Sequence, residues 1–206
     1  MILNNRDLFI LRLVYRFRFC LGRHIKVLAG FSGLRATDRR LRALVDGKYL
    51  MRKKYMYGVP YLYTLTHKGR VLLGVNKRAD VIRVDRIFHD IYVLDAVIFC
   101  TIQYGITLSD IVSDKEKNVE NGFKARSHNP DFIATIQEQR YAIEIELTPK
   151  SKIRTEKIIR DNYLNYDYQV WITNNSTVIA LINSFTNKYS NIKIYPLEGV
   201  IEHVRK

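Results

Sequence analysis

The sequence predicts an α+β chain of two domains. Residues 1–77 read as a helical domain closed by a β-hairpin, and residues 78–206 as an α/β domain whose helices flank a mixed sheet. Three observations predict this. Charge is divided unevenly: residues 1–77 hold 17 Lys/Arg against 3 Asp/Glu, a net of +14, whereas residues 78–206 hold 17 against 17. The first third carries apolar residues at helical spacing, followed by a β-rich run. The remainder alternates β-type runs with helical ones, the pattern of a layered α/β domain.

With 47% apolar residues, the 206-residue chain has enough hydrophobic material for real cores and is no disordered tail. Its two cysteines, Cys20 and Cys100, form neither a disulfide framework nor zinc-ligand spacing, which fits a reducing cytoplasm. The start, MILNNRDLFI, lacks a signal-peptide pattern. The longest apolar run, IYVLDAVIFCTIQY, is short and carries Asp95, so it reads as a buried helix and no membrane partner is expected. The concentrated positive charge points to a polyanion, with double-stranded DNA the expected partner.

In DLFILRLVYRFRF, Leu8, Phe9, Leu11 and Leu13 face a core, while Arg12, Arg16 and Arg18 face out. HIKVLAGF predicts a second short helix. Ser32 and Gly33 break the chain before a third, in which Leu34, Leu41, Leu44 and Val45 form the inner stripe and Gly47 the stop. Arg35, Arg39 and Arg42 fall on its outer side, with Arg40 on the flank. YLMRKKYMYGVPYLYTLT is β-rich, turns near Gly58-Val59-Pro60 and carries Lys53 and Lys54, and HKGRVLLG opens a further helix. Three helices and a hairpin over roughly residues 4–74 resemble a winged helix-turn-helix domain. The resemblance implies that the third helix enters the major groove and that the wing lysines hold backbone phosphates.

After a charged connector around residues 75–84, DRIFHDIYVLDAVIFCTIQYG predicts a long buried helix. ITLSDIVSD is a short strand running into a loop, and PDFIATIQ and RYAIEIELT are strands joined around Gln137, Glu138, Gln139 and Arg140. SKIRTEKIIRDNYL (helix), YQVWITN (strand), STVIALINSFTNKYS (helix) and IKIYPL (strand) complete the domain. Alternation puts Glu144 and Glu146 on one face of their strand, about 6.5–7 Å apart. If residue 136 pairs with 141, Asp131 lies opposite Glu146 and diagonal to Glu144. Three such acids repel unless a cation sits among them, and Mg²⁺ or Mn²⁺ is the natural occupant of an all-oxygen site.

Pro130-Asp131 followed by Glu144-Ile145-Glu146 resembles the PD-(D/E)xK nuclease core over roughly residues 85–197. The family's usual lysine position is Glu146 here; some restriction-enzyme-like families carry ExE at that place, and a lysine from elsewhere, such as Lys150, Lys152 or Lys157, could serve instead. Together with the winged helix, Phe88-His89-Asp90, the PDF strand, AIEIEL and the basic helix ending near Tyr163 are similar to the replication-relaxation family, which includes MobC/TraX-type plasmid relaxases. That resemblance implies a metal-dependent enzyme that nicks one strand at a transfer origin, with Asp131, Glu144 and Glu146 as its metal and catalytic centre. His89 is either a satisfied core histidine or a proton carrier beside the metal, and His128 reads as a solvated loop residue. Two other functions fit the same residues: a DNA-binding replication initiator or regulator with a degenerate nuclease-like domain, and a double-strand endonuclease acting as a symmetric homodimer.

Overall fold

A computed structural model describes residues 2–75, 79–120 and 128–205, without the side chains at 203 and 205. The chain is a mixed α+β protein with two sheets, and it divides into two compact units, Met1–Leu94 and Asp95–Lys206. The expected boundary at residues 77/78 lies outside the described residues.

In the first unit Asn4 starts α1 (Asn5–Phe17) with a reciprocal cap. Its side chain accepts from the Asp7 amide at 3.0 Å, and the Asp7 carboxylate accepts from the Asn4 amide at 2.8 Å. Ile10, Leu11, Leu13, Val14 and Phe17 form the buried stripe of α1. A two-residue strand that the sequence did not suggest, β1 (Cys20–Leu21), leads into α2 (Gly22–Leu28) and α3 (Leu34–Asp46). On α3 the inner residues are Thr37, Leu41 and Leu44. Leu34 was expected inside but is 61% exposed. It occupies the first helical position, before the stripe turns inward, and Thr37 takes the inner place with its hydroxyl donating to the Gly33 carbonyl at 2.9 Å.

The helix stops at Gly47, as expected, though the left-handed residue is Lys48 (φ 60°). β2 (Leu50–Lys53) and β3 (Leu62–Leu65) then pair antiparallel, in the order β1-β3-β2. Thr66 caps α4 (His67–Leu72), where Gly69 lets the helix lie against the Tyr49 carbonyl; a Cβ there would meet that oxygen at 2.3 Å. Ile87 and Ile91, at the start of α5 (Ile87–Tyr104), share a core with Phe19, Leu21, Val59 and Leu62.

With its preceding turn, the α5 segment Val84–Tyr104 is 21 residues long, enough to cross a membrane by length and composition. The expectation of a run too short to span is therefore corrected. The expectation of a buried helix stands, because Ile87, Ile91, Leu94, Asp95, Ala96, Val97 and Ile98 are all buried in the folded chain.

The second unit continues with β4 (Ile111–Ser113), α6 (Asp114–Glu120), β5 (Phe132–Ile136), β6 (Gln139–Ile145), α7 (Lys152–Asn165), β7 (Tyr168–Ile172), α8 (Ser176–Asn183), β8 (Ile192–Tyr195) and α9 (Leu197–Arg205). Neither α6 nor α9 was expected. The five strands lie in sequence order, with β4-β5-β6 antiparallel and β6-β7-β8 parallel. Each parallel step is made through a helix, α7 and then α8, as parallel neighbours require. Strand β6 is central and covered on both faces, which explains why Glu144 is buried along with Ile143 and Ile145. On the face of Glu144 and its β7 neighbour Trp171 lie Ile158 and Ile159 of α7 and Val178 and Ile182 of α8. The opposite face carries Tyr195, whose ring sits 6.1 Å from that of Phe99 in α5.

Candidate functional site

The β5-β6 hairpin sets the geometry of the site. Its loop is only two residues, Gln137 and Glu138, both left-handed (φ 49° and 65°), and Ile136 pairs with Gln139. Positive φ at both loop positions is the mark of a type I′ turn. Gln139 and Arg140 therefore belong to β6, and the expected pairing of 136 with 141 is off by two residues. Extending the Phe132–Ile143 pairing by one step sets Asp131 against Glu144 rather than Glu146. Asp131 Oδ2 accepts from the Ile145 amide at 2.8 Å, which fastens the acid to the end of β6.

Glu144 is 5% exposed, and its Oε1 meets two groups. Asn162 Nδ2 donates to it at 3.0 Å, and His128 Nε2 lies 2.5 Å away. Asn162 arrives because Thr155, Ile158, Ile159 and Asn162 form the inner stripe of α7, at helical spacing. Its Oδ1 is buried without a hydrogen-bond partner among the described residues. Burial pushes the Glu144 carboxyl up; the His128 contact pulls it down, Asp131 repels it, and the net direction is up. Burial pushes the His128 imidazole down, but its bond to Glu144 and the nearby carboxylate charges outweigh this, so it too is raised. Both groups thus hold their protons to higher pH than they would in water, Glu144 through burial and His128 through its bond to Glu144.

Glu146, expected in the same centre, is ion-paired with Lys150 on the link between β6 and α7. The positive charge of Lys150 slightly opposes protonation of His128, the smallest of the influences on that imidazole. Of the three lysines considered, it is the one the fold brings to the acids; Lys152 and Lys157 are exposed on α7. Among the described residues no three His, Cys, Asp or Glu side chains converge as a metal-binding group. His89 stands on α5 in the first unit, with Arg86 Nη2 3.3 Å and Asp90 Oδ1 3.2 Å from its Nδ1.

The basic residues also separate. Arg35, Arg39 and Arg42 are exposed on α3. Arg40, expected beside them on the nucleic-acid face, is turned onto the buried Asp7: Nε donates to Oδ1 at 2.5 Å, and Nη2 pairs with Oδ2 and donates to the Ile2 carbonyl at 3.3 Å. Burial pushes the Asp7 carboxyl up, but Arg40 overrides this and holds it below its usual range. Arg40 thereby ties α3 to the start of α1. Arg42 and Arg52 line one cleft of about 300 Å³ with Asp38, Asp46 and Tyr63, so α3 and the hairpin share a surface. Lys53 and Lys54 are exposed on that hairpin.

Two residues at the acids, His128 and Asn162, were not foreseen as site residues. The position of Asn162 on the inner stripe of α7 was the available signal. For His128 there was only its place three residues before Asp131. No known protein family, curated protein or solved structure matches the chain.

Proposed function

We propose that the protein is a divalent-metal-dependent DNA-cleaving enzyme, a nicking relaxase or endonuclease serving mobilisation or replication of a mobile element, and that its first unit grips duplex DNA. The element order α1-β1-α2-α3-β2-β3, with exposed arginines on α3, supports a winged helix-turn-helix reading. The order α5-β4-β5-β6-α7-β7 supports a restriction-endonuclease-like core and the kinship to the replication-relaxation family. One observation carries the reading: Asp131, just before β5, accepts from the Ile145 amide beside the buried Glu144 at the end of β6, and Glu146 just beyond holds the Lys150 amine.

The donor set fits Mg²⁺ or Mn²⁺, since Mg²⁺ is commonly held by one or two carboxylates with water and substrate phosphate completing the shell. Asp131 and Glu144 would hold it, and when bound it would activate water and polarise the phosphate. The remaining work belongs to the chain itself. Glu146 fixes Lys150 in place, so that the ammonium faces negative charge as it builds on the phosphate. Asn162 and His128 orient Glu144, and the Ile145 amide orients Asp131.

A second reading has its own support. His128 and Asn162 bond Glu144 Oε1 and Lys150 bonds Glu146 Oε2, pairings that would equally serve a DNA-binding initiator whose nuclease-like domain serves assembly. Incubating supercoiled DNA of the native locus with Mg²⁺ or Mn²⁺ separates the readings. The enzyme gives metal-dependent open circles, lost in Asp131→Ala and in chelator. Bound but uncut DNA under every metal selects the initiator, and linear product selects a homodimeric double-strand endonuclease.

A further inference from the structure

From Arg52 to Tyr63 the hairpin reads RKKYMYGVPYLY, three consecutive cations followed by four tyrosines. Each cation stands over a different ring: Arg52 is 3.9 Å from the centroid of Tyr61, Lys53 5.0 Å from Tyr55 and Lys54 5.6 Å from Tyr57. The loop is pinned from within. Val59 is buried in the core formed by Phe19, Leu21 and Leu62, and Tyr55 and Met56 pack against the same cluster. Gly58, at φ 76°, turns the chain between Tyr57 and Val59, and the result throws Tyr57 outward, 95% exposed.

A single exposed tyrosine is ordinary on a protein surface. This one is held at the apex of a fixed loop, beside cations suited to phosphate. A phosphate would use only the tyrosine hydroxyl, whereas the ring itself is used where a base offers its face. Inside a uniform duplex every base face is covered by its neighbours. From this we infer that the hairpin apex takes an unpaired nucleotide, with Tyr57 stacking on its base and Lys53 and Lys54 holding the flanking phosphates. The first unit then prefers a duplex that opens into single strand over a uniform one. The inference rests on the reading of this unit as a DNA-binding domain.

The test is fluorescence anisotropy of the full chain, in chelator, on a uniform duplex and on a forked duplex of the same sequence with 2-aminopurine at the first unpaired position. The fork binds about tenfold tighter than the duplex, as expected for one stacked base, and 2-aminopurine emission is quenched on binding. Tyr57→Ala brings fork affinity down to that of the uniform duplex and abolishes the quench, while Tyr57→Phe keeps both. Equal affinity for the two probes, or a fork preference and quench that survive Tyr57→Ala, overturns the inference; equal affinity with a bent duplex points instead to a minor-groove wedge. Failure to bind any DNA overturns the proposed function itself.

Discussion

Glu144 Oε1 is shared by two groups from opposite directions in the chain: His128 Nε2, 2.5 Å away in the segment before β5, and Asn162 Nδ2, 3.0 Å away on α7. A buried carboxylate would otherwise strain the central strand, and these partners offset its desolvation. Both members of the His128–Glu144 pair are raised, so the folded chain binds more protons than the unfolded one. For His128 the resulting stability is fully present below its ordinary value of 6.5 and is lost as pH rises through its raised folded value. Glu144 adds in the same sense, from its ordinary 4.5 upward.

His128→Ala is therefore expected to lower stability by about 1–3 kcal/mol near pH 6 and by less near pH 9. Thermal melts in chelator across that range check it. Wild type should lose stability with rising pH more steeply than the variant, and parallel profiles would remove the His128–Glu144 pair as the source of the pH dependence.

Arg40 and Arg39 are neighbours in sequence with different expected roles. Arg40→Ala leaves Asp7 fully buried without its guanidinium partner, at a cost of roughly 2–4 kcal/mol, below the full buried-pair range because Arg40 is partly exposed. The stability contributed by Asp7 is present above its ordinary 3.8 and is lost as pH falls through its lowered folded value, so the difference between wild type and variant shrinks in acid. Arg39→Ala should leave the melt unchanged and weaken DNA binding by about 1–3 kcal/mol if it reaches a base edge. Urea unfolding and DNA titration of both variants decide between these roles. An Arg40→Ala protein as stable as wild type would show that the ion pair contributes nothing.

At the tip of the β5-β6 hairpin, Gln137 and Glu138 both sit at positive φ, where residues with a Cβ are disfavoured. Asn-Gly is the preferred pair for such a loop. Gln137→Asn combined with Glu138→Gly should raise stability by about 0.5–1 kcal/mol, after the extra freedom of glycine in the unfolded chain is subtracted. The midpoint of urea unfolding reads this out. A lower midpoint would mean that the turn is held by interactions of the native side chains.

The same turn shows where the sequence stopped being informative. Strand and helix order in the second unit was legible because β6 alternates in sequence, β7 is a short β-type run and α7 has a helical stripe. Register was not, because Gln-Glu carries none of the Gly or Asn signal that marks a two-residue loop, and the longer turn assumed instead moved Asp131 from Glu144 to Glu146. Arg40 looked like its neighbours because its partner, Asp7, lies 33 residues away. His128 and Asn162 escaped for the same reason, since they reach Glu144 from 16 and 18 residues away. Lys150 was one of three candidate amines, and only the bend after β6 singles it out.

The pairing of Glu146 with Lys150 leads to the sharpest test of the acids. If Lys150 stabilises charge on the phosphate, Lys150→Ala should slow nicking by about 10²–10³-fold while DNA affinity holds, the scale of losing one preorganised donor. Lys150→Arg, which keeps the charge, should recover part of the rate. If Glu146 works only by holding that amine, Glu146→Gln should cost less than Lys150→Ala, and the double variant should be no slower than Lys150→Ala alone. A Glu146 that instead binds metal would behave differently: Glu146→Gln would raise the Mg²⁺ concentration needed for half-maximal nicking, while Lys150→Ala would leave it unchanged. Nicking rates over a Mg²⁺ titration, with circular dichroism confirming that each variant is folded, distinguish the two. Full nicking by Lys150→Ala would rule out the lysine altogether, and strictly additive losses would show that Glu146 and Lys150 act separately despite their contact.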